Sequence, residues 1–187
     1  SEQLLKDYDT LHITGIIDTY EGGLEFLKSY DDKKNLILFL GSSFGNFTPD
    51  DGKLFLEKIF FTMKSDDLFL IGLDLVKDKN ILESAYDDST GVTAKFNLNV
   101  LSRINDDLDA DFDINNFSHY SIYNENAQRI EMNLKSLVSQ SVIIGKSNLS
   151  LNLDKGELIH TEYSHKYHVS QIKKLLSDVG FEFKNMW

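Results

Sequence analysis

The chain has no cysteine, and only one of its 187 residues is proline. The first absence excludes disulfides, zinc–thiolate centres and cysteine nucleophiles, and it permits a reducing compartment such as the cytosol. No apolar run approaches the roughly 20 residues a membrane-spanning helix needs, so neither a membrane partner nor a signal peptide is expected. Basic residues are scarce: 19 Lys and Arg stand against 30 Asp and Glu, a formal net charge of -11. Phosphate binding needs clustered cations that are missing here, so no nucleic-acid partner is expected. Acidity of this degree suits a cationic ligand or simply solubility. Internal repeats and low-complexity tracts are also absent. What remains is a chain long enough for one good core, or for one domain with an inserted subdomain.

The richest stretch runs from Leu36 to Pro49, LILFLGSSFGNFTP. Leu36 to Leu40 is a continuous apolar run, the pattern of a parallel strand covered on both faces. Gly41, Ser42, Ser43 and Gly45 follow as a turn of small residues that lets backbone pass close to a small ligand. Thr48, Pro49, Asp50 and Asp51 then supply an N-cap, a proline at the first helical position and acids in the first turn. A strand, a small-residue turn and a helix start in succession form the ligand-binding edge of an open α/β sheet. Asn46, at the end of the turn, carries a carboxamide that orients a polar ligand group or serves as an ordinary turn residue.

Periodicity predicts a strand over 11–17, a short helix over 22–30, the strand from Leu36 and a helix from Pro49 to about Lys64, with Lys64 set against the helix dipole. A strand over 68–76 follows, with Asp74 near its carboxyl end, so strands and helices alternate as in a parallel sheet. Helices are predicted over 81–86 and 93–108. The region 111–159, with strands at 130–137, 142–144 and 149–153, reads as an inserted antiparallel subdomain. Ile172, Leu175, Leu176 and Val179 mark an amphipathic helix over 169–179 closed by Gly180, and a strand is expected to begin at 181–183. Paired aspartates at 31–32, 66–67 and 106–107 read as solvated loop charges.

Alternation along an extended segment sets Glu162 and Ser164 on one side. A carboxylate beside a hydroxyl matches the two nitrogens of an imidazole, one N–H and one lone pair; the plainer reading is a surface pair on an edge strand. His160, His165 and His168 match no zinc spacing, and alternation would place His160 and His165 on opposite faces, so no metal site is assigned. GSSFG lacks the order of a serine-hydrolase elbow, and GSSFGN lacks the lysine of a phosphate loop.

FLGSSFGNFTP from Phe39, GLDLVKD from Gly72, AYDDSTGVTAKFNLNVL from Ala85, RIEMNL from Arg129 and IHTEYSHKY from Ile159 resemble, in this order, the histidine-specific, S-adenosylmethionine-dependent methyltransferases that make trimethylhistidine (hercynine) on the way to ergothioneine. The resemblance implies a Rossmann-like class I parallel sheet, an α/β fold, with an inserted α+β substrate-binding subdomain. It divides the chain into residues 1–77, 78–160 and 161–187. It implies that Asn46 and Tyr86 hold the α-carboxylate and amine end of L-histidine, and that Glu162 and Ser164 grip the imidazole. Met132 would be a pocket wall, Gly41 would lie beside the reacting amine, and Thr19 and Tyr20 would meet the adenosine of S-adenosylmethionine. A cytoplasmic location goes with such an enzyme.

The family's Gly-rich first motif does not precede Leu11, and its members continue past the M-W position. The expectation is therefore an internal portion of a methyltransferase, with weak or absent cofactor binding and no turnover by itself. A related prenylated-tryptophan N-methyltransferase and a non-catalytic binding module are the alternatives.

Overall fold

The computed structural model describes residues 2–29 and 33–187. In chain order the elements are α1 (Glu2–Asp7), α2 (Tyr20–Lys28), β1 (Leu36–Phe39), α3 (Pro49–Thr62), β2 (Leu68–Ile71), α4 (Lys79–Tyr86), α5 (Val92–Leu108), β3 (Phe117–Asn124), β4 (Arg129–Ser136), β5 (Gln140–Ile144), β6 (Leu149–Leu153), β7 (Leu158–His165) and α6 (Val169–Val179). The fold is mixed α/β, and β1 pairs with β2 in parallel, Leu36 opposite Leu68 and Phe39 opposite Ile71. Their connection is α3, as the alternation of strand and helix requires.

α3 begins where the residues dictate. The Thr48 hydroxyl accepts the Asp51 N–H at 3.2 Å, Pro49 takes the first turn, and Asp50 and Asp51 face the positive end of the dipole. Phe55, Leu56 and Ile59 form its buried stripe, packed with Ile37 and Phe39 of β1, Phe69 and Ile71 of β2, and Leu175, Leu176 and Val179 of α6. Burying each of these large side chains is worth about 1.5–3 kcal/mol. α6 ends at Gly180, whose φ of +116° suits only glycine comfortably.

Several expectations from the sequence are corrected here. β1 is not covered on both faces: Ile37 and Phe39 turn inward, whereas Leu36 and Leu38 are 58% and 53% exposed, and Leu68 and Leu70 share that bare side. No element among the described residues lies against it. Residues 11–17 form no strand, because no neighbouring chain supplies a ladder and Ile13, Ile16 and Ile17 stay exposed. Phe181 to Phe183 form none either; the Phe181 ring packs 5.2 Å from Phe60 and 5.5 Å from Phe69 instead. β2 stops at Ile71, and α3 stops at Thr62 with Met63 as its cap, so Lys64 lies outside the helix. α2 starts two residues before Gly22 and ends at Lys28; Tyr30, Asp31 and Asp32 lie outside the described residues. Asp67 is no solvated loop charge. It is buried, and its carboxylate accepts the N–H groups of Asn35 at 2.7 Å and Lys64 at 3.0 Å, tying the start of β1 to the turn before β2.

The second half of the chain builds an antiparallel sheet in the order β3, β4, β7 and a separate hairpin of β5 and β6. α5 covers one end of the sheet through Leu101, against Phe117, Leu134 and Val142. α4 covers the other through Leu82, against Tyr123, Ile130 and Met132. After β7 the chain turns toward the first sheet, where Tyr167 bridges Leu75 in parallel and donates its N–H to the Asp74 carbonyl at 3.1 Å. Residue 166 is therefore the seam between the two sheets. No helix among the described residues is long and apolar enough to cross a membrane.

Candidate functional site

β7 carries the centre of the site. Ser164 lies opposite Ile130 and Glu162 opposite Met132, so both side chains leave the sheet on the face that α4 covers. This is the parity expected from alternation. The same strand contains a bulge: Met132 faces Glu162 but Asn133 faces His160, which makes Thr161 the extra residue. The Thr161 hydroxyl bonds the Met132 carbonyl at 3.0 Å and steadies the bulge.

The bulge overturns the expected placement of the histidines. His160 and His165 share the far face, on either side of Tyr163, with ring centroids 3.9 Å and 6.2 Å from its own. Arg129 stacks over the same Tyr163 ring at 3.6 Å. Among the described residues no three metal-ligating side chains come together.

On the near face Tyr86, the last residue of α4, brings its hydroxyl to 2.7 Å from the Ser164 hydroxyl. Both oxygens accept from the Lys166 ammonium, at 2.9 Å and 2.8 Å, and Lys166 also meets the Asp74 carboxylate at 3.2 Å. The Lys166 side chain is completely buried. Burial pushes the Asp74 carboxyl up, but Lys77 and Lys166 outweigh it and hold the group below its ordinary value. Lys166 and Asp74 escaped the reading for function, although the parity that pairs residues 162 and 164 extends to 166.

Tyr86 is held from behind. The His119 Nε2–H donates to the Tyr86 carbonyl at 2.8 Å, which leaves Nδ1 to accept from the Asn97 amide at 2.9 Å. Asn97 gives its second N–H to the Asn133 carbonyl at 3.0 Å and is buried within α5. This chain of bonds, also missed from the sequence, ties the end of α4 to the sheet beneath it.

Glu162 contrasts with its neighbours. It is half-buried, its carboxylate has no hydrogen-bond partner among the described residues, and burial pushes its pKa up against the opposing charges of Lys166 and His160. Ser121, in the same cross-strand row beyond Met132, likewise has a buried hydroxyl without a partner. Met132 itself is buried between them. The face thus presents two unsatisfied polar groups at its open row and a fully bonded cluster at the next.

The small-residue turn reaches this cluster. Residues Ser43–Asn46 form a 3-10 turn whose Gly45 backbone packs on β7, with the Gly45 carbonyl accepting from His165 Nδ1 at 2.9 Å. A Cβ on Gly45 would stand 3.5 Å from the Ser164 hydroxyl. Asn46 follows with an exposed side chain that makes no hydrogen bond among the described residues. Gly41 takes φ +83°, the backbone bend at the carboxyl end of β1. Thr19 caps α2 by accepting the Gly22 N–H at 3.2 Å, and the adjacent Tyr20 ring lies 5.3 Å from Phe39 at that same strand end. An exposed aromatic ring and a glycine bend beside a strand end fit a nucleoside bound at the sheet edge. A cleft of about 340 Å³ between Glu83, Ser84, Asp87, Tyr120, Ser121 and Ile122 contains none of Tyr86, Glu162 or Ser164; the Tyr86 and Ser164 hydroxyls bond one another instead.

The segment AYDDST owes its form to Asp88, whose carboxylate accepts the N–H groups of Val92 at 3.1 Å and Thr93 at 2.8 Å and so starts α5. The Thr90 hydroxyl above all, and then these backbone bonds, hold its carboxyl far below the ordinary range.

A family model described as histidine-specific methyltransferase, SAM-dependent, matches residues 1–187. Histidine N-alpha-methyltransferase of Mycolicibacterium smegmatis is 39% identical over 154 residues, 82% of this chain and 48% of that protein. Histidine N-alpha-methyltransferase of Mycobacterium tuberculosis is 37% identical over 182 residues, covering 97% and 56%. Ergothioneine biosynthesis protein 1 of Neurospora crassa is 28% identical over 191 residues, covering 98% and 21%. The chain spans about half the length of the two histidine methyltransferases.

Proposed function

Because this chain belongs to the histidine-specific, S-adenosylmethionine-dependent methyltransferase family, we propose that the complete protein methylates the α-amine of L-histidine, forming trimethylhistidine for the ergothioneine pathway. The observation that carries the substrate assignment is the shared face of Glu162 and Ser164, one an unpartnered carboxylate and the other a buried hydroxyl. A cytoplasmic setting and the absence of a nucleic-acid partner belong to the same reading, and it calls for no metal.

In this reading Glu162 accepts the imidazole N–H, Ser164 meets the other ring nitrogen, and Met132 walls the ring between β4 and α4. Asn46 and Tyr86 hold the carboxylate and amine end, with Gly41 leaving backbone room beside the amine. Thr19 and Tyr20 would hold the adenosine of S-adenosylmethionine. The chemistry that this cofactor supplies when bound is a methyl group on a sulfonium centre. Asn46 and Tyr86 then contribute chiefly by orientation, since holding two reactants in line lowers a barrier by up to about 7–11 kcal/mol. Residues 1–77 and 161–187 would form the cofactor part and residues 78–160 the substrate part, with β7 running across the boundary so that its Glu162 and Ser164 face the substrate.

Replacing Glu162 by Ala in the complete protein tests the assignment. A charge-assisted hydrogen bond is worth about 1.5–3 kcal/mol, so the histidine Kd should rise roughly tenfold to a hundredfold by calorimetry. An unchanged Kd would remove histidine's ring from this face. Assaying L-tryptophan beside L-histidine separates the indole alternative, because an indole has no lone-pair nitrogen for Ser164.

A further inference from the structure

We propose that Lys166 is a positioning residue that sets the hydrogen-bond polarity of Ser164, making it a donor only and thereby selecting a neutral imidazole ring. The proposal rests on the histidine reading above and adds to it a residue and a protonation state.

The argument is an inventory of hydrogens. A lysine ammonium has three donors, and here each has an acceptor: Asp74, Tyr86 and Ser164, at 3.2, 2.9 and 2.8 Å. The 2.7 Å contact between Tyr86 and Ser164 takes one hydroxyl hydrogen. Two hydroxyls own two hydrogens, so one remains for a ligand. A phenol is a better donor and poorer acceptor than an aliphatic hydroxyl, which directs the Tyr86 hydrogen to Ser164. Ser164 then accepts from both Tyr86 and Lys166, its two lone pairs are filled, and its only remaining bond is the O–H it gives away.

A ring nitrogen at Ser164 must therefore carry a lone pair, while Glu162 on the same face takes the N–H of the other ring nitrogen. A neutral imidazole satisfies both in one tautomer. An imidazolium would aim its second N–H at an oxygen with nothing left to accept it, beside a buried cation. The charged and titratable groups around the trio are Asp74 with Lys77 behind it, Tyr86 from α4, and Glu162, which feels both Lys166 and His160.

Without Lys166 the polarity is lost, because Ser164 regains a free lone pair and can turn either way. The test compares L-histidine with its pyrrole analogue, in which C–H replaces the lone-pair nitrogen, in the complete wild-type protein and in Lys166→Met. Wild type should prefer histidine by about tenfold or more in Kd, and Lys166→Met should shrink that preference to within about threefold. A variant that keeps the full preference overturns the proposal and leaves Lys166 structural. Wild type without any preference overturns the histidine reading itself.

Should Lys166→Met fail to fold, NMR of isotope-labelled ring nitrogens of histidine bound to wild type decides the matter. At about pH 6, below the ordinary imidazole pKa of about 6.5, the bound ring should show one protonated and one bare nitrogen. Two protonated nitrogens would overturn the proposal.

Discussion

The Tyr86 hydroxyl lies 2.7 Å from the Ser164 hydroxyl across 78 residues of chain, joining the end of a helix to the edge strand of a sheet. That contact closes the cluster around a buried lysine, and it makes the polar grips of the proposed site part of the folded core as well. Residues that would hold a ligand here also hold the protein.

Ser164→Ala should therefore destabilise the fold even without ligand. It strips a partner from the fully buried Lys166 and another from Tyr86. Leaving a buried donor unsatisfied costs about 1–3 kcal/mol, which in a chain of this size lowers Tm by roughly 2–10 °C. Thermal unfolding that matches wild type would mean that the cluster contributes nothing to stability.

Glu162→Gln should do the opposite at neutral pH. Burial raises the folded pKa of Glu162 above its ordinary 4.5, so the folded state holds the proton more tightly than the unfolded state does. The associated stability is present below the ordinary value and is lost as pH rises through the raised one. The Gln variant, which never ionises, should be more stable than wild type at pH about 7, with the difference fading toward pH about 4. Denaturation curves across that range check the sign. A variant no more stable than wild type at neutral pH would contradict it.

Gly45→Ala probes the docking of the turn on β7. The new Cβ would come within 2.9 Å of the His165 carbonyl oxygen and 3.2 Å of the His165 nitrogen, both backbone atoms with little room to move. Overpacking of this kind costs about 1–3 kcal/mol. The displaced turn carries Asn46 with it, so Tm and histidine affinity should fall together in the complete protein. A loss of one without the other would separate the turn from the site.

Local signals were legible wherever local chemistry decides. Thr48 and Pro49 announce α3, Gly180 announces the end of α6, and the parity of Glu162 and Ser164 survives because both follow the bulge. Distant partners decide the rest. Asp67 reads as a loop charge until Asn35, 32 residues earlier, is seen donating to it. Alternation sets His160 and His165 on opposite faces because it assumes an unbroken ladder, and the extra residue at Thr161 breaks it. Lys166 carries no signal of its own in the sequence, and only the meeting of two sheets at that residue reveals its acceptors. The bare leucines of β1 follow the same logic, since an apolar run says that a face wants covering and not what covers it.

The bulge in β7 also separates two kinds of sequence change. Replacing Thr161 by another residue gives up the hydroxyl's bond to the Met132 carbonyl but keeps the count, and with it the face each neighbour takes. Deleting it would restore a regular ladder and carry everything on one flank over to the opposite side of the sheet. Either the two histidines flanking Tyr163 would be re-sorted, or the acid and the hydroxyl would turn away from α4. Along this strand, the number of residues decides which side chains meet more strictly than the identity of residue 161 does.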